Sequence, residues 1–228
     1  MRRVISVAVA AAVLALLVAP PTQAQTPQYP VILIPGLGGG VEEIAPVRDK
    51  LLAEGNQVLY FSEFDGVESN YRTALRTAAK TKEVAATTGK VNLACWSASV
   101  MSCRYAMKYL GIQDLVAQVV FYAGGNGNWG MCQLPVYLGG DGCPTHWFAR
   151  SLEYGDDTPG AAGYFFITSF PETVTPIPDG GICYKYAPFD GFKHTEEPWQ
   201  PVYQDFIAAG VKGVCLGDFV NKPITNRP

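Results

Sequence analysis

Residues 91–99 read Val-Asn-Leu-Ala-Cys-Trp-Ser-Ala-Ser and pass directly from a strand pattern into a helix pattern. The apolar run from Val91 to Ala94 predicts a buried strand, and a helical stretch from about residue 98 to residue 110 ends at Gly111. Ser97 lies at the sharp turn between them, with small side chains two residues away on each side. This placement is typical of a nucleophile elbow, in which a tight turn exposes a serine hydroxyl. A helix N-cap is the alternative interpretation, because Ser is a preferred capping residue.

Outward from this segment, strand patterns alternate with helix patterns. Further strands are predicted at 31–34, 57–61, 117–122 and 164–168. Further helices are predicted around Val47, Leu51 and Leu52, over the apolar stripe Tyr71, Ala74, Leu75, Ala78 and Ala79, and at 202–209. The alternation predicts an α/β fold with a mainly parallel sheet and helices on both faces. Ligands of such sheets bind at the carboxyl ends of the strands, which is where Ser97 lies.

Composition excludes several classes of function. The 228 residues are 48% hydrophobic and 16% charged with a net charge of -3, which is typical of a folded globular domain. No basic run is present, so a nucleic-acid partner is not expected. The chain has only 2 histidines, His146 and His194, which excludes a His-rich metal site. We expect neither a metal nor a cofactor.

The N-terminus has the pattern of a secretory signal peptide. Arg2 and Arg3 precede an almost wholly apolar run at 4–19, and small residues end at Ala24. An uncleaved membrane anchor is the alternative, but the apolar run is shorter than the roughly 20 residues that span a bilayer. We therefore expect a signal peptide at 1–24 and a secreted single domain at 25–228.

An oxidising compartment allows the six cysteines to pair. They are Cys95, Cys103, Cys132, Cys143, Cys183 and Cys215. Position alone favours a bridge between Cys132 and Cys143 across a Gly-rich loop, and one between Cys183 and Cys215 at the C-terminal tail. Cys95 and Cys103 flank the strand-turn-helix, where the helical rise of about 1.5 Å per residue predicts a separation too large for a disulfide.

Two segments carry a resemblance to a known family. Residues 30–40 read Pro-Val-Ile-Leu-Ile-Pro-Gly-Leu-Gly-Gly-Gly, and Arg104-Tyr105 follow the Ser97 turn by seven residues. Together they resemble the small bacterial (class 2) lipases and esterases of the α/β-hydrolase superfamily. The resemblance implies the α/β-hydrolase fold with little or no cap domain.

The same resemblance implies roles for individual residues. Ser97 matches the nucleophile, and the backbone N–H groups of Leu37 and Ala98 match the oxyanion hole. His194 matches the family's C-terminal catalytic base. His146 precedes the expected position of the acid and therefore has the wrong chain order.

The acid has two candidates. The stretch 169–176, Ser-Phe-Pro-Glu-Thr-Val-Thr-Pro, follows the strand at 164–168 and is similar to the family's acid segment, with Glu172 at the carboxylate. The fold accepts Glu or Asp in this role. Asp179 is the rival.

Three residues depart from the family pattern. Cys95 and Ser99 stand where the family has glycines on either side of the nucleophile, and Pro35 replaces the usual histidine of the first segment. Cysteine and serine are small enough to fit, although each adds a side chain where the turn is tightest. These changes predict a weaker activity or a different substrate.

The sequence thus predicts a secreted serine hydrolase that cleaves carboxylic esters in lipid catabolism, through a Ser-His-acid triad and an acyl-enzyme intermediate. The alternative is a catalytically silent protein of the same fold that binds a lipid or a cell-wall component. The segment 124–150 follows a strand and is either a substrate rim or a structural loop. We expect a monomer, an open pocket for short or medium acyl esters, and transient contact with lipid surfaces.

Overall fold

The computed structural model describes residues 28–60, 68–125, 129–169, 178–188 and 191–224. The segment predicted to be a signal peptide, 1–24, lies outside these ranges. Within them, no helix combines the length and the apolar character needed to cross a membrane.

A seven-stranded sheet runs through the described part of the chain, in the spatial order β2-β1-β3-β4-β5-β6-β7. The strands are β1 Val31–Ile34, β2 Val58–Tyr60, β3 Val91–Trp96, β4 Val116–Tyr122, β5 Gly163–Thr168, β6 Gly180–Tyr186 and β7 Asp218–Lys222. Every neighbouring pair is parallel except β6 and β7, which are antiparallel. The predicted mainly parallel sheet is therefore confirmed, with β3 near its centre and Ser97 directly after β3.

Helices cover both faces of the sheet, as predicted. They are α1 Ala45–Ala53, α2 Asn70–Thr88, α3 Ser99–Tyr109, the short α4 Trp147–Ser151 and α5 Pro201–Gly210. On one face, α1 and α5 share an apolar core with Leu33 of β1 and Val120 of β4. On the other face, α2 and α3 pack over Ile32 and Leu93. Burial of these apolar side chains is the main favourable contribution to folding.

The described residues also include short 3₁₀ helices. They comprise Trp129–Gln133, Val136–Leu138, Gly140–Gly142 and His194–Trp199. The first three lie in the predicted rim segment, and the fourth begins at His194.

The position of α2 was predicted correctly, but part of its buried face was not. Leu75 is 43% exposed, whereas the buried stripe that includes Ala74 and Ala78 also takes in Thr73, Thr77 and other polar positions. The Thr77 hydroxyl donates to the carbonyl of Thr73 at 2.8 Å, so its polar atom is satisfied inside the helix. Threonines can therefore lie on the buried face of a helix. A prediction based on hydrophobicity alone assigns the neighbouring leucine to that face instead.

Strands β6 and β7 were not predicted from the sequence. β6 begins with Gly180 and Gly181, which weaken a strand pattern. β7 is an antiparallel edge strand with charged ends, and its Phe219 is 71% exposed. Neither strand therefore shows the continuous apolar run of a buried parallel strand.

The two expected disulfides are both present. Cys132 is bonded to Cys143 and Cys183 is bonded to Cys215. The first closes the Gly-rich segment, and the second ties the chain just before β7 to β6. Both pairings agree with the prediction from position.

The expectation that Cys95 and Cys103 cannot bridge is wrong. They form a third disulfide, with their Cα atoms 6.6 Å apart. The helical rise was the wrong measure of their separation, because the turn at Ser97 reverses the chain and lays α3 back along β3. Both cysteines are fully buried. The bridge therefore fastens the strand before Ser97 to the helix after it.

Replacing Cys95 and Cys103 together by alanine should lower the free energy of unfolding by about 2–4 kcal/mol, as expected for the loss of a native disulfide. It should also slow the reaction of Ser97 with a fluorophosphonate, since the strand and the helix that set the turn are no longer linked. Urea denaturation and labelling rates measure the two effects.

The matched control replaces Cys183 and Cys215, which join β6 to the segment before the edge strand β7 and lie outside the Ser97 turn. This variant should lose stability but keep the labelling rate of Ser97. An unchanged labelling rate in a folded Cys95/Cys103 variant would contradict the predicted effect on the turn.

Candidate active site

Ser97 adopts the left-handed backbone conformation of a tight strand-to-helix turn, with φ of 56°. Its N–H donates to the carbonyl of Tyr122 at 3.0 Å, and its own carbonyl accepts from the N–H of Val100 at 3.1 Å. The N-cap of α3 is Ala98, so Ser97 is not the capping residue. The helix-cap interpretation of this serine is therefore not supported.

Glycine is required where two neighbouring loops approach Ser97. A Cβ on Gly36, in the loop after β1, would lie 2.7 Å from the Cβ of Ser97. A Cβ on Gly124, in the loop after β4, would lie 2.2 Å from the carbonyl oxygen of Ser97. Both distances are too short for real atoms, so these glycines allow the serine turn to sit between the two loops.

The two residues that depart from the family's glycine pattern are both accommodated. Cys95 is used in the disulfide with Cys103. The Ser99 hydroxyl lies 2.7 Å from the carbonyl of Trp96 and 3.0 Å from that of Ile34, and it is buried. Each added side chain thus links neighbouring segments of the turn, and neither occupies the position of the Ser97 hydroxyl.

His194 contacts the serine directly. Its Nε2 lies 2.6 Å from the Oγ of Ser97, across 97 residues of sequence. The imidazole ring also stacks on Trp96, with the ring centroids 5.4 Å apart and an interplanar angle of 24°. The structure therefore brings together the two residues that the sequence predicted as nucleophile and base.

A glutamate that sequence analysis missed lies on the other side of the imidazole. The Oε2 of Glu197 is 2.7 Å from Nδ1 of His194, and the Glu197 side chain is fully buried. Its Oε1 accepts a hydrogen bond from the Tyr203 hydroxyl at 3.2 Å. Ser97, His194 and Glu197 thus form one row of polar contacts.

A sequence signal for Glu197 exists. It stands three residues after His194 in a Thr-Glu-Glu-Pro run, a spacing that brings side chains together on a helical turn. The preceding Glu196 instead accepts from the N–H of Lys193 at 2.9 Å and caps the 3₁₀ helix. The chain order implied by the resemblance places the acid before the histidine and therefore does not predict an acid in this run.

The structure gives Asp179 and His146 other contacts. Glu172 lies outside the described residues, so its role stays a prediction. The backbone N–H of Asp179 donates to Asp157 at 3.0 Å, in the cluster that surrounds the buried Arg104. His146, the rival histidine, accepts from the N–H of Phe148 at 3.3 Å and caps α4.

The N–H groups of Leu37 and Ala98 are free to bind an anion as far as the described residues show, since neither donates a backbone hydrogen bond there. Both residues line a small pocket that opens to solvent. Its other lining residues include Gly36, Ser99 and Ser102. The pocket therefore lies between the loop after β1 and the first turns of α3, where the predicted oxyanion hole would be.

The predicted rim segment borders this region. Asp141 is buried and its carboxylate accepts from the N–H groups of Asn70 and Tyr71, at 3.0 and 2.8 Å, which fixes the segment to the start of α2. A Cβ on Gly139 would lie 2.6 Å from the Leu37 side chain. The segment thus acts as a structural loop and also packs on Leu37.

An exposed apolar surface covers the outside of the same segment. We call it the rim surface; its members are Trp129, Leu134, Val136, Tyr137 and Trp147, which are 41 to 68% exposed. Clusters of exposed aromatic and aliphatic side chains of this kind are typical of interaction sites.

Comparison with known proteins identifies the fold. No family model matches the chain, and no curated protein matches it. Among solved structures, the mature form of lipase BlEst2 from Bacillus licheniformis is 14% identical, with a TM-score of 0.51 over 66% of this chain and 69% of that chain. Its propeptide form gives 16% identity and the same TM-score over 66% of this chain and 38% of that chain.

A protein from Xanthomonas campestris pv. campestris, described as a hydrolase of the alpha/beta superfamily, is 12% identical over 64% of this chain and 74% of its own, with a TM-score of 0.40. The parallel sheet order and the likeness to BlEst2 show an α/β-hydrolase fold. The fold predicted from residues 30–40 and the Ser97 turn is therefore confirmed.

The close approach at Gly36 generates a prediction. Gly36→Ala should reduce the fluorophosphonate labelling rate of Ser97 by about 100-fold, because the new Cβ displaces the serine by up to about an ångström. Gly40→Ala is the matched control, since a Cβ there meets nothing within 4 Å. Equal labelling rates in the two variants would show that the turn does not depend on this contact.

Proposed function

We propose that the protein is a secreted serine hydrolase of carboxylic esters, of the type of the small bacterial class 2 lipases and esterases, acting in lipid catabolism. The observation that carries the proposal is the row from Ser97 Oγ through His194 to the buried Glu197, with contacts of 2.6 and 2.7 Å. A serine hydroxyl is a weak nucleophile until an adjacent base removes its proton. Serine, histidine and carboxylate in this geometry are the parts of an acyl-transfer site.

In the first half of the reaction, Ser97 Oγ attacks the ester carbonyl while Nε2 of His194 takes the hydroxyl proton. The carbonyl oxygen becomes an oxyanion, for which the N–H groups of Leu37 and Ala98 are the proposed donors. His194 then gives its proton to the alkoxy oxygen of the leaving group. The C–O bond breaks, the alcohol departs, and an acyl group remains on Ser97.

In the second half, His194 takes a proton from water, and the resulting hydroxide attacks the acyl carbonyl at the same site. The tetrahedral intermediate collapses as His194 returns the proton to Ser97 Oγ. The carboxylic acid leaves, and the enzyme is restored without any metal or cofactor in the scheme.

Two neighbours favour the imidazolium that forms in both halves. Glu197 carries the negative charge next to Nδ1, in a buried position where charge interactions are stronger than in water. Trp96 presents its ring face to the imidazole, and such stacking is attractive for a cation. Trp96 therefore both orients the ring and stabilises its charged form.

We propose Glu197 as the acid of the triad. Its carboxylate contacts His194 and is buried, as the role requires. Glu172, predicted from the family's segment pattern, is the alternative that experiment must separate from it.

The open pocket beside Leu37 and the lack of a large cap in the described residues favour short or medium acyl esters. The rim surface lies next to this pocket through the contact of Gly139 with Leu37. Its aromatic and aliphatic side chains suit transient contact with a lipid surface. Secretion is supported by the N-terminal pattern and by three disulfides, which form in oxidising compartments.

The central test combines labelling with turnover. Wild-type protein should react stoichiometrically with a fluorophosphonate and hydrolyse p-nitrophenyl butyrate. Ser97→Ala and His194→Ala should lower kcat/KM on the order of 10⁴-fold, because the nucleophile or its base is removed. A folded wild-type protein that neither labels nor turns over would favour the silent, ligand-binding alternative.

The identity of the acid has its own test. Glu197→Gln keeps size and shape but removes the charge beside Nδ1, so kcat should fall on the order of 10⁴-fold with the protein still folded. Glu172→Gln is the matched control and should keep kcat near the wild-type value. The reverse pattern would assign the acid to Glu172 and remove Glu197 from the mechanism.

A further inference from the structure

Behind Glu197, on the side away from His194, lies a pair of buried hydroxyl groups. Tyr203 of α5 donates to Oε1 of Glu197 at 3.2 Å, and Ser169 lies 2.7 Å from the same Tyr203 oxygen. All three side chains are fully buried. Neither hydroxyl touches His194 or Ser97 in the contacts described, so the reaction scheme above does not use them.

The direction of these hydrogen bonds follows from the chemistry of the groups. An ionised carboxylate can only accept, so the Tyr203 hydroxyl donates its single proton to Glu197. The Ser169 hydroxyl must therefore donate to the Tyr203 oxygen. The result is a one-way chain of donors from Ser169 through Tyr203 to the carboxylate.

The surroundings keep Tyr203 protonated. Burial, together with the neighbouring charge of Glu197, raises the pKa of Tyr203 far above its ordinary value. The phenol therefore remains a donor across the whole range in which an esterase works.

We propose that Tyr203 is a positioning residue of the active site, and that Ser169 acts through it. The Tyr203 hydroxyl holds Oε1 of Glu197 so that Oε2 faces Nδ1 of His194. The inference rests on the proposed function and on Glu197 as the acid. Tyr203 contributes to catalysis only by orienting the Glu197 carboxylate and by stabilising its charge.

Two physical arguments support this role. A buried carboxylate is costly unless its oxygens have partners; Oε1 accepts from Tyr203, and Oε2 lies 2.7 Å from Nδ1 of His194. A carboxylate held at one oxygen only can also rotate away from the imidazole. The Tyr203 bond fixes the second oxygen and thereby the plane of the group.

Ser169 connects the chain of hydrogen bonds to the sheet. Ser169 directly follows β5, at the carboxyl edge where the family's acid segment begins. Tyr203 comes from α5 and Glu197 from the 3₁₀ helix that starts at His194. The chain of donors therefore joins three separate elements at the acid.

Few other titratable groups surround this chain in the described residues. His194 lies on the same 3₁₀ helix as Glu197, and Tyr184 of β6 adds a weak electrostatic influence on Tyr203. On the outer surface of α5, Asp205 pairs with Lys50 of α1 at 2.9 Å and is half-exposed. The contact between His194 and Glu197 is therefore the part of the site on which a change at Tyr203 should act.

The test replaces the phenol by a phenyl ring. In Tyr203→Phe, we expect kcat/KM for p-nitrophenyl butyrate to fall about tenfold, as for the loss of a hydrogen bond to a charged group. The loss should appear in kcat with KM nearly unchanged. The acidic limb of the pH profile should also move to higher pH, because a carboxylate without its phenol donor favours the protonated form of the neighbouring imidazole.

Two controls separate positioning from a general loss of structure. Tyr164→Phe also removes a buried hydroxyl, which donates to the carbonyl of Pro159 at 2.7 Å on the other face of the sheet. It should lower stability without moving the pH profile. Adding Ser169→Ala to Tyr203→Phe should cause no further shift, because Ser169 has no route to Glu197 without the phenol.

The variants separate failure of the Tyr203 role from failure of the proposed esterase function. A pH profile and kcat equal to wild type in folded Tyr203→Phe would overturn the positioning role, while loss of turnover in Ser97→Ala would still support the esterase. If Tyr203→Phe does not fold, Ser169→Ala alone decides the question. It should give a smaller shift in the same direction, and no shift would overturn the proposal.

Discussion

The left-handed backbone of Ser97 is the constraint on which the rest of the site depends. A non-glycine residue pays about 1–2 kcal/mol for this conformation, so it persists only where the surroundings impose it. Here the strand before it and the helix after it are joined by the disulfide of Cys95 and Cys103. Gly36 and Gly124 leave the space into which the turn fits. The fold thus stabilises the one serine whose hydroxyl faces His194.

The second half of the site is built from the C-terminal part of the chain, where the proposed acid, Glu197, follows the histidine. His194 and Glu197 lie on one short helix, so a single element supplies both the proposed base and its carboxylate partner. What such a site requires is geometry, and chain order can vary as long as the contacts are kept. A buried Glu197 needs compensation, and Tyr203 and Ser169 provide hydroxyl groups for it.

Local patterns were enough to predict much of this molecule. The apolar runs at β1, β3 and β4 predicted the sheet, and the resemblance carried by residues 30–40 and the Ser97 turn implied the α/β-hydrolase fold, because these signals are short-range. Side-chain partners depend on how the chain folds back. The Cys95–Cys103 bond was therefore misjudged from helical rise, and Glu197 was overlooked although it stands only three residues from His194. Edge strand β7 lacks the apolar pattern of buried strands, so no local pattern predicts a strand there.

In the proposed mechanism, Ser97, His194 and Glu197 act as one unit with the N–H groups of Leu37 and Ala98. A crystal structure of the protein after reaction with a fluorophosphonate tests it most directly. We expect phosphorus bonded to Ser97 Oγ, a phosphoryl oxygen within hydrogen-bond distance of both N–H groups, and the Glu197 carboxylate in contact with Nδ1 of His194. An adduct on another residue, or a different carboxylate on Nδ1, would contradict it.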